Sequence, residues 1–120
     1  MKFSVLVSIV SEEFEEKALK TAKDTGAGGV TILKGKGIGN EEKKIFFGLT
    51  YEGHQSVLIY VLERKLALKI LKKFSQDNDL EDNSVTFTLP IEHLTGINLK
   101  QLIKFEDQIK TELMGGEECS

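Results

Sequence analysis

The sequence predicts a single α+β domain, a ferredoxin-like split βαβ sandwich of order βαββαβ with an extra C-terminal helix. Three observations predict it. Apolar residues alternate with period two in Phe3, Val5, Val7 and Ile9 and again in Val85, Phe87 and Leu89, the mark of half-buried strands. They recur at helical spacing in Phe14, Ala18 and Ala22, with Leu19 beside them, and in Leu66, Ala67, Ile70, Leu71 and Phe74. Between these stretches lie Val30 to Leu33, a strand-like segment Ile45 to Leu49, and the continuous apolar run Val57 to Leu62. Two βαβ halves side by side give the sandwich.

Each element has a local reason. Ser11 offers an N-cap to the first helix, and Glu12 and Glu13 stand where the helix dipole favours acids. Gly26 ends that helix in a left-handed cap. The second strand is expected over Val30 to Leu33, ending or bulging where Gly35, Gly37 and Gly39 alternate. Tyr51 to Gln55 reads as a turn around Gly53. Val57 to Leu62 suits a central strand. The second helix carries Lys65, Lys69, Lys72 and Lys73 on its polar side, either a solvated face or a phosphate site. Asp77 to Asn83 reads as an acidic loop. Pro90, the sole proline of the sequence, limits the last strand. Gly96 breaks the chain, and Asn98 with Gln101 resembles a capping box for a final helix with Leu99, Leu102, Ile103, Ile109 and Leu113 on one face.

One sheet face is expected to pack on the first two helices. The other, with Leu6, Leu33, Leu58 and Tyr60, needs a cover from the last helix or from a partner subunit. The domain is expected over residues 1–114, followed by a flexible tail over 115–120.

The length of 120 residues and an apolar fraction of 40% support a core without staples. The charge of −3 argues against broad nucleic-acid binding, which needs a basic face. No apolar run reaches the ~18–20 residues that span a bilayer, so no direct membrane insertion is expected. The single cysteine, Cys119, excludes an internal disulfide framework. Together these point to a cytoplasmic protein.

Catalytic and ligand motifs fail in turn. Around Gly35-Lys36, Val30 stands at the first glycine of a phosphate loop and Gly37 at its hydroxyl position. Asn40 stands where a dinucleotide fingerprint needs its third glycine. Asp77, Asp79 and Glu81 have calcium-loop spacing, but Asp82 replaces the hinge glycine and Thr88 the final glutamate. His54 and His93 show no metal-ligand spacing, and Cys119 has no nearby base. No enzyme and no metal site is expected. What remains is the glycine cluster with Lys34, Lys36, Lys43 and Lys44. It reads either as a backbone cradle for an anion or as a glycine-rich bend.

The segment Gly29-Val30-Thr31-Ile32-Leu33-Lys34-Gly35-Lys36-Gly37-Ile38-Gly39 resembles the stretch of P-II signalling proteins in which a Gly-x-Thr strand runs into Lys-Gly-Phe-Gly. Lys36 to Gly39 fall on that tetrapeptide, with Ile38 replacing its aromatic. Phe46-Phe47-Gly48-Leu49-Thr50 is similar to a divergent, P-II-like subgroup. The order of elements agrees to about residue 97.

The resemblance implies a homotrimer that binds an adenine nucleotide, as effector and not as cofactor, in clefts between subunits. It implies a regulatory role, such as nitrogen regulation, in which a flexible loop controls a target protein, for example a membrane transporter or an enzyme. Thr31, Gly35, Lys36, Gly37, Ile38 and Gly39 would bind the ligand. The loop over residues 40–55 would hold Asn40, Lys43, Lys44, Tyr51 and His54. The family's second glycine loop is replaced by Asp77 to Ser84, which lacks glycine and lysine, and Glu92 and Thr95 stand where its arginines would be. An acidic segment repels a triphosphate, so a smaller anion is expected. The alternative is a trimeric divalent-metal-binding protein of the CutA type, resting on His54, His93 and the acidic stretch.

Overall fold

The computed structural model describes residues 2–36, 45–46, 49–50 and 54–96. In chain order these form β1 (Phe3–Ser11), a 3-10 turn (Glu12–Phe14), α1 (Glu15–Thr25), β2 (Thr31–Lys36), β3 (Ile45–Phe46), β4 (Leu49–Thr50), β5 (His54–Glu63), α2 (Arg64–Gln76), α3 (Asn78–Asn83) and β6 (Ser84–Pro90). Four strands make an antiparallel sheet in the order β2-β5-β1-β6. β1 and β2 are therefore parallel with β5 between them, which is the split βαβ arrangement of the ferredoxin-like fold. β3 and β4 pair with each other as a small hairpin, Ile45 opposite Thr50. The final helix and the tail expected from the sequence lie outside the described residues.

The core lies between the sheet and the helices. Leu6 and Val10 of β1, Leu58, Tyr60 and Leu62 of β5, Ala18 and Ala22 of α1, Ala67, Ile70 and Phe74 of α2, and Leu80 of α3 are buried together. Alanines at 18, 22 and 67 let the helix backbones approach the large strand residues, as close packing requires. Cross-strand register puts Leu6 beside Tyr60 and Ser8 beside Leu58 on this face. Ser8 is buried, and its hydroxyl is satisfied by Thr86 Oγ1 at 2.8 Å.

This register corrects the expected facing of the sheet. Leu6, Leu58 and Tyr60 lie under the helices, not on the opposite face; Leu33 alone of the four lies on the open side. The open face instead carries Val5, Val7 and Ile9, joined by Val57, Ile59 and Val61 on one side and Val85, Phe87 and Leu89 on the other. Both strand faces are apolar, so alternation in β1 fixed a strand without fixing which face the helices take.

Local chemistry corrects three further expectations. Ser11 ends β1 and makes no side-chain cap; the 3-10 turn intervenes, and α1 begins at Glu15. Gly26 does end α1, with φ of 131°, and its N–H bonds Ala22 O at 3.1 Å. β2 starts at Thr31 and runs through Lys34-Gly35-Lys36 rather than ending before the glycines, because β5 supplies a partner at each position. Asp77 to Asn83 is not a loop. The Asp77 carboxylate accepts from Leu80 N–H at 3.2 Å and caps α3, whose Leu80 is wholly buried.

Candidate functional site

Among the described residues β2 is an edge strand, paired with β5 alone. Its last residues are the described part of the site read from the sequence. Lys36 stands opposite His54, Gly35 opposite Gln55 and Thr31 opposite Ile59. His54, expected in the loop, is the first residue of β5, and Gln55, expected in a turn, is its second. Lys36 and His54 are exposed neighbours at the end of the sheet. Gly37, Ile38, Gly39, Asn40, Lys43, Lys44 and Tyr51 lie outside the described residues.

The period of two divides the residues between the faces. Thr31, Leu33 and Gly35 belong to the open face, while Lys34 and Lys36 belong to the helix side. Gly35 has no neighbouring atom within 4 Å of where a Cβ would stand, so the backbone there is open to close approach. Beside it Gln55 is 4% exposed, and its Nε2 has no hydrogen-bond partner among the described residues. Ser11 stands opposite Gln55 on its other side. A buried amide donor next to an unobstructed glycine can receive an acceptor oxygen from outside. Sequence reading missed Gln55; the signal available was a polar residue entering an apolar strand.

On the helix side, Lys34 Nζ donates to Glu15 Oε1 and, at 3.1 Å, to Ser56 Oγ. Ser56 Oγ also donates to Glu15 Oε1 at 2.5 Å. These hydrogen bonds, from Lys34 first and then Ser56, hold the Glu15 carboxyl below the usual carboxylate range. The triad pins the first turn of α1 to the β2–β5 edge. Asp77 is pushed up by burial, but the Leu80 N–H and Lys17 outweigh that and leave it lowered. Lys17 reaches Asp77 at 3.1 Å and Asp79 at 2.7 Å, joining α1 to α3. Tyr60, buried beneath the helices, has its hydroxyl pushed up to about 12 by that burial and stays neutral.

Among the described residues, no three histidine, cysteine, aspartate or glutamate side chains are placed to hold a metal ion. His54 opens β5 opposite Lys36, whereas His93 follows β6, whose Pro90 stands opposite Ser4 at the other end of the sheet. Among the described residues, no helix is long and apolar enough to cross a membrane.

No family model matches the chain, and no curated protein matches it. Solved structures do. CPII from Thiomonas intermedia, bound to ADP, AMP and acetate, is 20% identical over 82% of this chain and 93% of its own, with a TM-score of 0.62. The same protein bound to ADP and bicarbonate is 24% identical over 76% of this chain and 87% of its own, with a TM-score of 0.55. A PII-like signalling protein from Thermus thermophilus is 18% identical over 76% of this chain and 87% of its own, with a TM-score of 0.59. The likeness read from residues 29–39 thus holds at the level of the fold: this chain has the ferredoxin-like fold of the PII-like signalling proteins.

Proposed function

We propose that this chain is a non-enzymatic PII-like regulator that senses an adenine nucleotide. The observation that carries the reading is that structures sharing its fold are bound to ADP and AMP. Two features of the chain support it. Gly35 offers an open backbone, and Gln55 a donor without a partner among the described residues, where β2 meets the segment 37–53. The open sheet face is apolar from Leu33 to Leu89, the kind of surface that subunits bury. The assembly is a homotrimer with that face inward, and the ligand lies in clefts between subunits. Thr31, Gly35 and Lys36 contribute from β2, and Gly37, Ile38 and Gly39 continue the site.

The acidic α3 replaces a phosphate-binding loop, so the monophosphate and diphosphate are favoured over ATP. Bicarbonate, bound by a CPII structure, is a second effector class to test. Binding selects one state of the segment between β2 and β5, through which a transporter or enzyme is controlled. A ligand does this only by binding one state of that segment better than another.

The test is a thermal-shift series on the full chain with AMP, ADP, ATP, bicarbonate and divalent metals, with particle mass measured alongside. Ligand at a hundredfold excess over Kd stabilises the native state by about 2.7 kcal/mol. A shift with AMP or ADP in a trimer supports the reading. A shift with metals alone supports the CutA-type alternative instead.

A further inference from the structure

α2 presents two lines of side chains beneath and beside the sheet, and only one of them is wholly buried. Ala67, Ile70 and Phe74 face the sheet and are buried. Leu68, Leu71, Lys72 and Ser75, spaced three and four apart, form a second line along the helix. That line borders a groove of about 410 Å³ between α2 and β6, closed at its far end by α3. Its other walls come from Phe74, Leu80, Glu81, Ser84 and Thr86. Leu68 is 46% exposed there and gives the groove an apolar rim on the α2 side.

We infer that the groove is the seat of this chain's own residues 97–114. The chain leaves β6 at the correct end. Ile91 N–H bonds Phe3 O at 3.1 Å and Arg64 N–H bonds Lys2 O at 2.9 Å, so the exit of β6 and the start of α2 flank the beginning of β1 together. Residues 91–96 then allow the chain to turn and run back alongside α2, toward α3. As a helix, Leu99 to Leu113 spans about 21 Å at about 1.5 Å per residue, enough to follow the groove from Leu68 to Leu80.

Charge gives the register. At about 100° per residue, Leu99, Leu102, Ile103, Ile109 and Leu113 share one face, and Glu106 falls in its middle with Lys110 one turn on. The groove presents Lys72 on α2 and then, in the same direction, Glu81 on α3. Neither takes part in an ion pair among the described residues. A helix running parallel to α2 meets them in order, Glu106 at Lys72 and Lys110 at Glu81. The mode is an amphipathic helix laid in an apolar groove, supplied in cis. One step rests on the proposed assembly: the open sheet face belongs to other copies, leaving the groove for this segment.

The test is hydrogen exchange on the full-length protein, resolved by peptide. In the wild type, amides of residues 99–113 exchange slowly. Leu68→Asp, at a half-exposed position, speeds their exchange tenfold or more and leaves β1 and β5 unchanged. Lys72→Glu and Glu106→Lys each speed it several-fold, and the double variant returns at least half of the lost protection. Unprotected amides over 99–113 in the wild type overturn the inference. So does protection that survives Leu68→Asp, or that is lost instead in Leu89→Asp on the open sheet face. Particle mass on the same samples reports on assembly alone. A monomer overturns the trimer reading, and the groove inference is then decided by Leu68→Asp against Leu89→Asp.

Discussion

Ser56 Oγ lies 2.5 Å from Glu15 Oε1, so a hydroxyl buried in β5 holds the first carboxylate of α1 against the edge of the sheet. Lys34 completes the contact from β2. Three elements far apart in the chain meet at this point, directly behind the strand residues proposed to bind ligand. The pair with Lys34 is half-exposed and contributes little alone. The Ser56 bond is partly buried and matters more. Ser56→Ala is expected to cost about 1–2 kcal/mol in urea unfolding, because it leaves a largely buried carboxylate without its hydroxyl donor.

The same contact sets an acid limit. Glu15 and Asp77 both titrate lower in the folded chain than when unfolded. Their stabilisation is therefore present above the unfolded carboxylate pKa and is lost as pH falls through the lower, folded values. The melting temperature is expected to fall below about pH 4.5, the usual carboxylate range. Glu15→Gln keeps an acceptor for Ser56 but does not titrate, and its pH profile between 6 and 3 should be shallower than that of the wild type. Identical slopes would show that Glu15 contributes nothing to the acid limit.

How the helices and sheet would divide was legible from periodicity, and α2 was read almost to its ends. The facing of the sheet was not legible, because β1 has valines and isoleucine on one side and leucine, valine and two serines on the other. Ser8 is buried because Thr86, 78 positions away, answers its hydroxyl. α3 was hidden by its acidic composition, and the burial of Leu80 overrode that composition. Of the proposed site, the glycine cluster and Lys36 stand out in the sequence by their spacing. Gln55, Glu15 and Ser56 do not, since their roles arise from cross-strand register and from a helix start displaced by the 3-10 turn.

Leu80 is the anchor of α3, a helix of six residues that cannot hold itself together. Leu80→Ala is expected to cost about 2–5 kcal/mol, as for other buried leucines. Protection of α3 amides from exchange should vanish before that of β1. A loss under 1 kcal/mol would mean that the site collapses around the smaller side chain.

Phe87 stands opposite Val7 on the open face and is 38% exposed. Phe87→Glu leaves the helix-side core untouched. It is expected to convert the proposed trimer to monomers at micromolar concentration while circular dichroism stays the same. Light scattering reads the mass directly. A trimer that survives the change would place the subunit contact elsewhere.

Gln55 separates stability from binding. Replacing a buried amide whose Nε2 has no partner among the described residues should leave stability unchanged or raise it, since the cost of the unmet donor is removed. Gln55→Leu should nonetheless weaken nucleotide binding about tenfold, the value of one lost hydrogen bond of about 1.4 kcal/mol. Urea unfolding and calorimetric titration on the same samples check both signs.

An adenine-nucleotide site at the β2–β5 edge is to be sought first by titration calorimetry of AMP and ADP into the protein. Saturable binding near one nucleotide per subunit, weakened by Gln55→Leu in an otherwise stable protein, is the predicted result. No heat from either nucleotide at concentrations up to the millimolar range would rule out a nucleotide site at this edge.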